Sequence, residues 1–184
     1  MRSRRSWPAA RASRRCALGY AGRRQAVQRQ AEDLAPAFAR LAPKPLVLEA
    51  FVPFEREISA IAARGADGTV ITFDATENRH AHHILDLSIA PAPVADSVAM
   101  AAQAQVARLA GALDLVGVLA LEMFLLPDGT LLANEMAPRP HNSGHWTLDA
   151  CLVGQFEMHV RAVAGLALPD PGRHHDAVMK NLVG

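Results

Sequence analysis

The chain has 184 residues, 51% of them apolar and 20% charged, with a formal net charge of +1. That is ordinary globular composition, long enough for a sizeable core, and near-neutrality gives no reason to expect nucleic acid or an acidic membrane as a partner. No apolar run reaches the roughly 18 to 20 residues that cross a bilayer, and the separated Cys16 and Cys151 lack metal or redox spacing, so they read as reduced thiols of a cytosolic protein.

The first fifteen residues hold six arginines and no acid. Three readings apply to them: an organelle transit peptide, an RNA-binding arm, or drifted coding sequence, the last being preferred. "DLAPAFARLA" predicts a short helix from Asp33 to Ala42, capped by Asp33, with Pro36 in its first turn. "KPLVLEAFVPF" predicts a buried strand over 46–52 that Pro53 ends. Residues 56–75 predict a hairpin through "GADG", with Ile58, Ala60 and Ala62 on one arm and Val70, Ile71 and Phe73 on the other. Residues 76–93 read as a looser stretch. Asp96 or Ser97 then caps a helix whose apolar face is Val98, Ala102, Val106, Leu109 and Leu113. A second hairpin, "VGVLALEMFLLPDGTLLANEM", precedes a last helix over 146–164, with Leu152, Phe156, Val160 and Val163 on one side and Gly165 as its stop. Trp146, Phe156 and Cys151 read as core. The order of elements fits an α+β layer with an antiparallel sheet and packed helices.

The second hairpin carries the chemistry. With Asp128 and Gly129 at the turn centre, Pro127 faces Thr130, Leu125 faces Leu132 and Glu122 faces Glu135. Directly opposed side chains lie about 4.5 to 5.5 Å apart, and like charges there repel, so one carboxyl would be forced to a higher pKa. A hard divalent ion such as Mg²⁺, which favours one or two carboxylates plus phosphate oxygens, removes the conflict. Apolar neighbours argue that both carboxylates are buried; the other reading is an edge hairpin with both in water. A one-residue slip of register would part them. Arg139, held beyond Glu135 by "APRP", suits the charge of a transferring phosphoryl group. "HAHH" at 80–83 lacks the further ligands that tetrahedral zinc requires.

The stretches "LEAFVPFEREIS", "GVLALEMF", "LLANEMAPRPHNSGHWTLDAC", "QFEMHVRAVAGLALP" and "AVMKNLVG" resemble the ATP-grasp portion of the 5-(carboxyamino)imidazole ribonucleotide synthases, from about Leu18 onward. The resemblance implies an ATP-grasp C-terminal lobe that uses ATP and bicarbonate to carboxylate aminoimidazole ribonucleotide, through carboxyphosphate. It implies that Glu49, Ala50, Phe51 and Val52 line the adenine slot, that Glu57 accepts from the ribose hydroxyls, and that His80 contacts the nucleotide. Glu122 and Glu135 would hold Mg²⁺, with Mn²⁺ as the other admissible ion, and Asn134 would lie beside the phosphates. Arg139, His141, Asn142 and Ser143 would face bicarbonate and substrate. Apart from the resemblance, Glu49 and Glu57 read equally as solvent-facing strand residues, and His141 and His145 as braces of their own loop.

"ALGYAGRRQ" stands where these enzymes carry a glycine-rich loop. Gly19, Tyr20, Gly22 and Arg23 match it as nucleotide-binding and catalytic residues, whereas Ala21 replaces an aspartate and Arg24 a glycine, and Arg14 falls where a phosphate-binding lysine is expected. The organisation expected is a basic head over 1–14, the loop remnant and short helix over 15–45, the nucleotide- and metal-binding lobe over 46–168, and the start of a C-terminal domain over 169–184. A preceding nucleotide-fold domain is implied but missing, so a fragment or one piece of a split protein is expected, working in the cytoplasm as a homodimer or with its N-terminal half. Two other readings stand beside this one: an ATP- and Mg²⁺-binding module without turnover, and another ATP-grasp ligase or carboxylase.

Overall fold

The computed structural model describes the backbone of residues 14–17, 25–28, 30–41, 47–81 and 84–182, and the side chains of 30–40, 50–81 and 84–182. The chain divides into two compact units, Met1–Pro53 and Phe54–Gly184. The boundary expected near residues 45 and 46 falls outside the described residues, as do Gly19, Tyr20, Ala21, Gly22, Arg23 and Arg24.

In the first unit, β1 (Arg14–Ala17) pairs antiparallel with β2 (Gln25–Gln28) and β3 (Val47–Glu49). The third strand is shorter than expected. Its ladder with the four-residue β1 runs out at the Arg15–Glu49 pair, and Ala50 and Phe51 beyond it are exposed. The predicted helix is α1 (Leu34–Leu41), entered through a 3-10 turn over Ala31–Asp33. The Asp33 carboxylate accepts the Gln30 N–H at 3.1 Å, one half of a capping box on the preceding turn.

The described residues of the second unit form one antiparallel sheet of seven strands. At its centre β4 (Arg56–Arg64) pairs along one whole edge with β8 (Gly117–Leu125). Its other edge is shared by β5 (Val70–Thr72) and β6 (Thr76–Ala81). Beyond β6 lie β7 (Ile84–Ala90) and β10 (Ala177–Lys180), and β9 (Leu131–Ala137) closes the far edge beside β8. Within the stretch expected to be loose, residues 76–81 and 84–90 are thus the paired strands β6 and β7. Polar β6 escapes the alternation test because its buried Glu77 and Asn78 are satisfied by Arg56, Arg79 and Ser88.

Small residues on both sides of β4 let a helix pack on each face. One core joins Ile58, Ala60, Leu119, Leu121 and Met123 to Ala102, Val106 and Ala110 of α2 (Asp96–Ala112). Ala95, not Asp96 or Ser97, is the residue before its first turn. The opposite core joins Ile61, Ala63, Val118, Ala120, Phe73 and Trp146 to Met158 of α4 (Gln155–Val163).

The helix expected over 146–164 is broken. α3 (Thr147–Ala150) ends where Cys151 turns extended and bridges to Arg173, and α4 restarts after Gly154. The Thr147 hydroxyl accepts the Gln155 N–H at 3.0 Å, supplying the new helix start. This break resets the helical phase, so Gln155, Met158 and Ala162 face inward while Leu152, Phe156, Val160 and Val163 are exposed. Trp146 is core as expected, Phe156 is not, and Cys151 is buried but outside any helix. Gly165, left-handed at φ 69°, stops α4 where expected. Met158→Ala therefore costs about 2 to 5 kcal/mol, whereas exposed Val160→Ala stays within about 0.5 kcal/mol. Urea unfolding of both variants measures this, and equal losses would restore the expected face.

Candidate functional site

Glu57 and Glu122 stand on the sheet face that Ile61 and Ala120 share with Trp146 and Met158. At the turn, Leu126 N–H donates to Thr130 and Gly129 N–H to Leu126, both at 2.9 Å, with Gly129 left-handed at φ 83°. Pro127 and Asp128 are the central residues, because proline suits the fixed φ of that turn's first corner. The loop is thus one residue longer than expected, and Leu125 faces Leu131 rather than Leu132, with Leu126 opposite Thr130. Carried on unbroken, that register would set Glu122 against Asn134 and put Glu135 on the wrong face. A bulge intervenes between Met123–Ala133 and Glu122–Glu135, and Asn134 is the extra residue. The two glutamates face each other across the ladder, Asn134 beside them.

Their surroundings differ. Glu122 is half-buried on β8, whereas Asn134 and Glu135 are exposed on the edge strand, so the expected burial holds for one partner only. Burial first, then Glu135 and Glu57, hold the Glu122 carboxyl above the usual carboxylate range, against an opposing pull from His80. The rise expected from mutual repulsion is present, but desolvation leads it.

Glu57 lies two positions from Ser59, which pairs with Glu122, and its carboxylate forms an ion pair with His80 Nδ1. The pair borders an open groove of about 500 Å³ that Phe54, Arg56, Glu77 and Asn78 also line. Burial alone would raise the Glu77 carboxyl, yet Arg79 and Arg56 hold it below its ordinary value. In the sequence this triad shows only as Glu77 and Arg79 of "ENRH", with Arg56 far back along the chain. Glu49, Ala50, Phe51 and Val52 close the first unit, where Phe51 is exposed and Val52 half-buried.

Beyond β9, Arg139 is exposed and donates to Pro140 O at 2.9 Å. His141 precedes a 3-10 turn over Asn142–Gly144. His141 Nε2 stands 3.8 Å from Glu122 Oε1, and Nδ1 2.9 Å from the hydroxyl of buried Ser143. Asn142 Oδ1 accepts the Ser143 N–H at 3.0 Å. Burial, then the charge of Arg139, push the His141 pKa down to about 4, so its ring is neutral at pH 7. His141 and His145 both brace the loop, His145 through Gln155 at 3.1 Å.

Among the described residues no group of three or more His, Cys, Asp or Glu is arranged to hold a metal unaided. The Glu122–Glu135 pair fits Mg²⁺ in another way: two hard oxygen donors in mutual repulsion, one partly desolvated, needing a cation and further oxygens to complete its shell. No described helix is long and apolar enough to cross a membrane.

A sheet backed by helices, with paired acids on adjoining strands and a polar loop at their mouth, defines the class: the chain belongs to the ATP-grasp domain family, which matches residues 11–156. Its relatives narrow the kind further. It is 52% identical over 169 residues to the N5-carboxyaminoimidazole ribonucleotide synthase of Brucella melitensis, covering 91% of this chain and 47% of that protein. The N5-carboxyaminoimidazole ribonucleotide synthetase of Thermus thermophilus superposes with a TM-score of 0.82 at 47% identity, over 86% of this chain and 44% of that one. An Aspergillus clavatus N5-carboxyaminoimidazole synthase, solved with ADP and 5-aminoimidazole ribonucleotide, superposes with a TM-score of 0.85 at 29% identity, over 96% and 46%. The chain spans about half the length of the curated relatives it matches.

Proposed function

We propose that this chain carries the nucleotide- and metal-binding lobe of an enzyme that carboxylates 5-aminoimidazole ribonucleotide with ATP and bicarbonate, forming a carbon–nitrogen bond in cytoplasmic purine synthesis. The observation that carries the reading is the bulge that brings Glu135 opposite Glu122, with neutral His141 3.8 Å from Glu122. Two carboxylates gathered at the mouth of a polar loop suit a polyphosphate bridged by a divalent ion better than any bare organic substrate.

In this reading Glu122 and Glu135 hold Mg²⁺, which supplies charge neutralisation for the phosphates. Asn134 lies beside those phosphates, and Glu57, oriented by His80, accepts from the ribose hydroxyls. Glu49, Ala50, Phe51 and Val52 line the adenine slot. Arg139 offsets charge that develops on the transferring phosphoryl group. Being neutral, His141 adds no competing positive charge and presents Nε2 toward the substrate side with Asn142, while Ser143 holds that ring from behind. Gly19, Tyr20, Gly22 and Arg23 are read as nucleotide-binding and catalytic residues of a glycine-rich loop.

The test is isothermal titration of the full chain with ATP, with and without Mg²⁺, in wild type and Glu135→Gln. Loss of a metal ligand exceeds the roughly 10- to 100-fold that supporting groups cost, so Mg²⁺-dependent binding is expected to weaken at least 100-fold. Unchanged affinity removes Glu135 from the metal role. ADP release that requires both bicarbonate and aminoimidazole ribonucleotide supports the full activity, and nucleotide binding without turnover supports a binding module.

A further inference from the structure

Gln155 is fully buried at the start of α4, yet every polar group of its side-chain amide is engaged. Oε1 accepts the His141 N–H at 2.9 Å. Nε2 donates to His141 C=O at 2.7 Å and lies 3.1 Å from His145 Nδ1. Turning the amide over would set oxygen against the His141 carbonyl, so the donors and acceptors admit one orientation only. His145 Nδ1 must then accept, which leaves the ring proton on Nε2. The main chain repeats the clamp, since Gln155 N–H donates to Thr147 Oγ1 at 3.0 Å, and that hydroxyl donates to Gly144 O at 2.7 Å.

We propose that Gln155 is a positioning residue that sets the 141–145 loop in its substrate-facing form before any ligand arrives, holding the backbone of His141 and fixing the tautomer of His145. This rests on the reading above that the loop faces the aminoimidazole ribonucleotide. A buried amide with all its hydrogen bonds used is stiff, and removing its acceptor oxygen takes from the half-buried His141 N–H its partner, while the His141 C=O keeps only the Gly144 N–H. An ordinary core position at the start of an amphipathic helix would take an apolar side chain instead.

Two variants of the full chain test it, Gln155→Met and Gln155→Glu, by ¹⁵N NMR of the histidine rings and by titration with aminoimidazole ribonucleotide and with Mg²⁺·ADP. Wild type is expected to show His145 as a single Nε2–H tautomer. Methionine keeps length but not hydrogen bonds, and His145 is expected to become a tautomer mixture. Glutamate sets an oxygen against His145 Nδ1 and is expected to draw a second proton onto that ring at pH 7. Ribonucleotide affinity falls roughly 10- to 100-fold in the methionine variant, the range for groups that support a site from outside, while Mg²⁺·ADP affinity moves less than about threefold. A His145 that keeps one neutral tautomer in either folded variant overturns the proposal. Should the wild type bind no ribonucleotide, the substrate reading fails, and the tautomer result alone still decides the role of Gln155.

Discussion

Glu122→Gln is expected to raise the thermal midpoint of the ligand-free chain at pH 7, and to abolish Mg²⁺-dependent nucleotide binding in the same variant. The carboxyl sits half-buried on a central strand, where burial and then the charges of Glu135 and Glu57 hold its pKa above the ordinary value. A carboxyl raised in the folded state binds its proton more tightly there than in the unfolded chain. Its stabilising share is whole below the unfolded value near 4.5 and is lost as pH rises through the folded one. Wild type and Glu122→Gln should therefore melt alike in acid and separate above about pH 4.5, the variant higher. Calorimetry across that range measures the gap. A glutamine that melts lower at pH 7 would mean that Glu122 is held as an anion by a partner, and that the strain on this pair is not what a cation relieves.

Gly144→Ala is the second large effect, and its cause is space rather than backbone conformation. A Cβ at this buried glycine would fall within hard contact of Ile61 Cδ1 and 2.6 Å from Gln155 Oε1. Ile61 belongs to the core beneath the sheet and Gln155 to the clamp on the loop, so the added methyl strikes both at once. Overpacking of this kind costs about 1 to 3 kcal/mol, and the displaced amide leaves the His141 N–H without its acceptor. A loss of about 3 kcal/mol or more by urea unfolding is expected. Because Ile61→Val removes the struck Cδ1 atom, the double variant should lose less than the two single changes added together. Strict additivity would place the damage elsewhere.

The sequence made some of this legible and hid the rest for physical reasons. Long apolar runs around "PDG" and "GADG" announce the hairpins, and the opposed acids follow from them. The pairing of Glu122 with Glu135 nevertheless came out through two departures that compensate: a longer turn, then a bulge at Asn134. Neither leaves a mark in hydrophobic periodicity. β6 was missed because its buried Glu77 and Asn78 depend on Arg56 and Ser88, which lie far along the chain. The helix break was missed because its causes are a hydroxyl eight residues back and a bridge to Arg173. At the site, Glu57, His80 and His141 were singled out, while Gln155 and Gly144 were not. Their signals are a polar residue at an inward-facing position of an amphipathic helix, and a glycine in a 3-10 turn that no left-handed φ requires.

The spare residue at Asn134 makes the edge strand unequally tolerant of changes in length. Excision of that position would return the strand to plain alternation and still leave Glu135 opposite Glu122. One residue gained between Thr130 and Ala133 would instead swing the second acid to the far side of the sheet. Insertions and deletions are thus not equivalent for this hairpin: it can shorten at Asn134 and keep the acids opposed, whereas a gain of two residues would keep the second acid on its face but carry it along to Ala120.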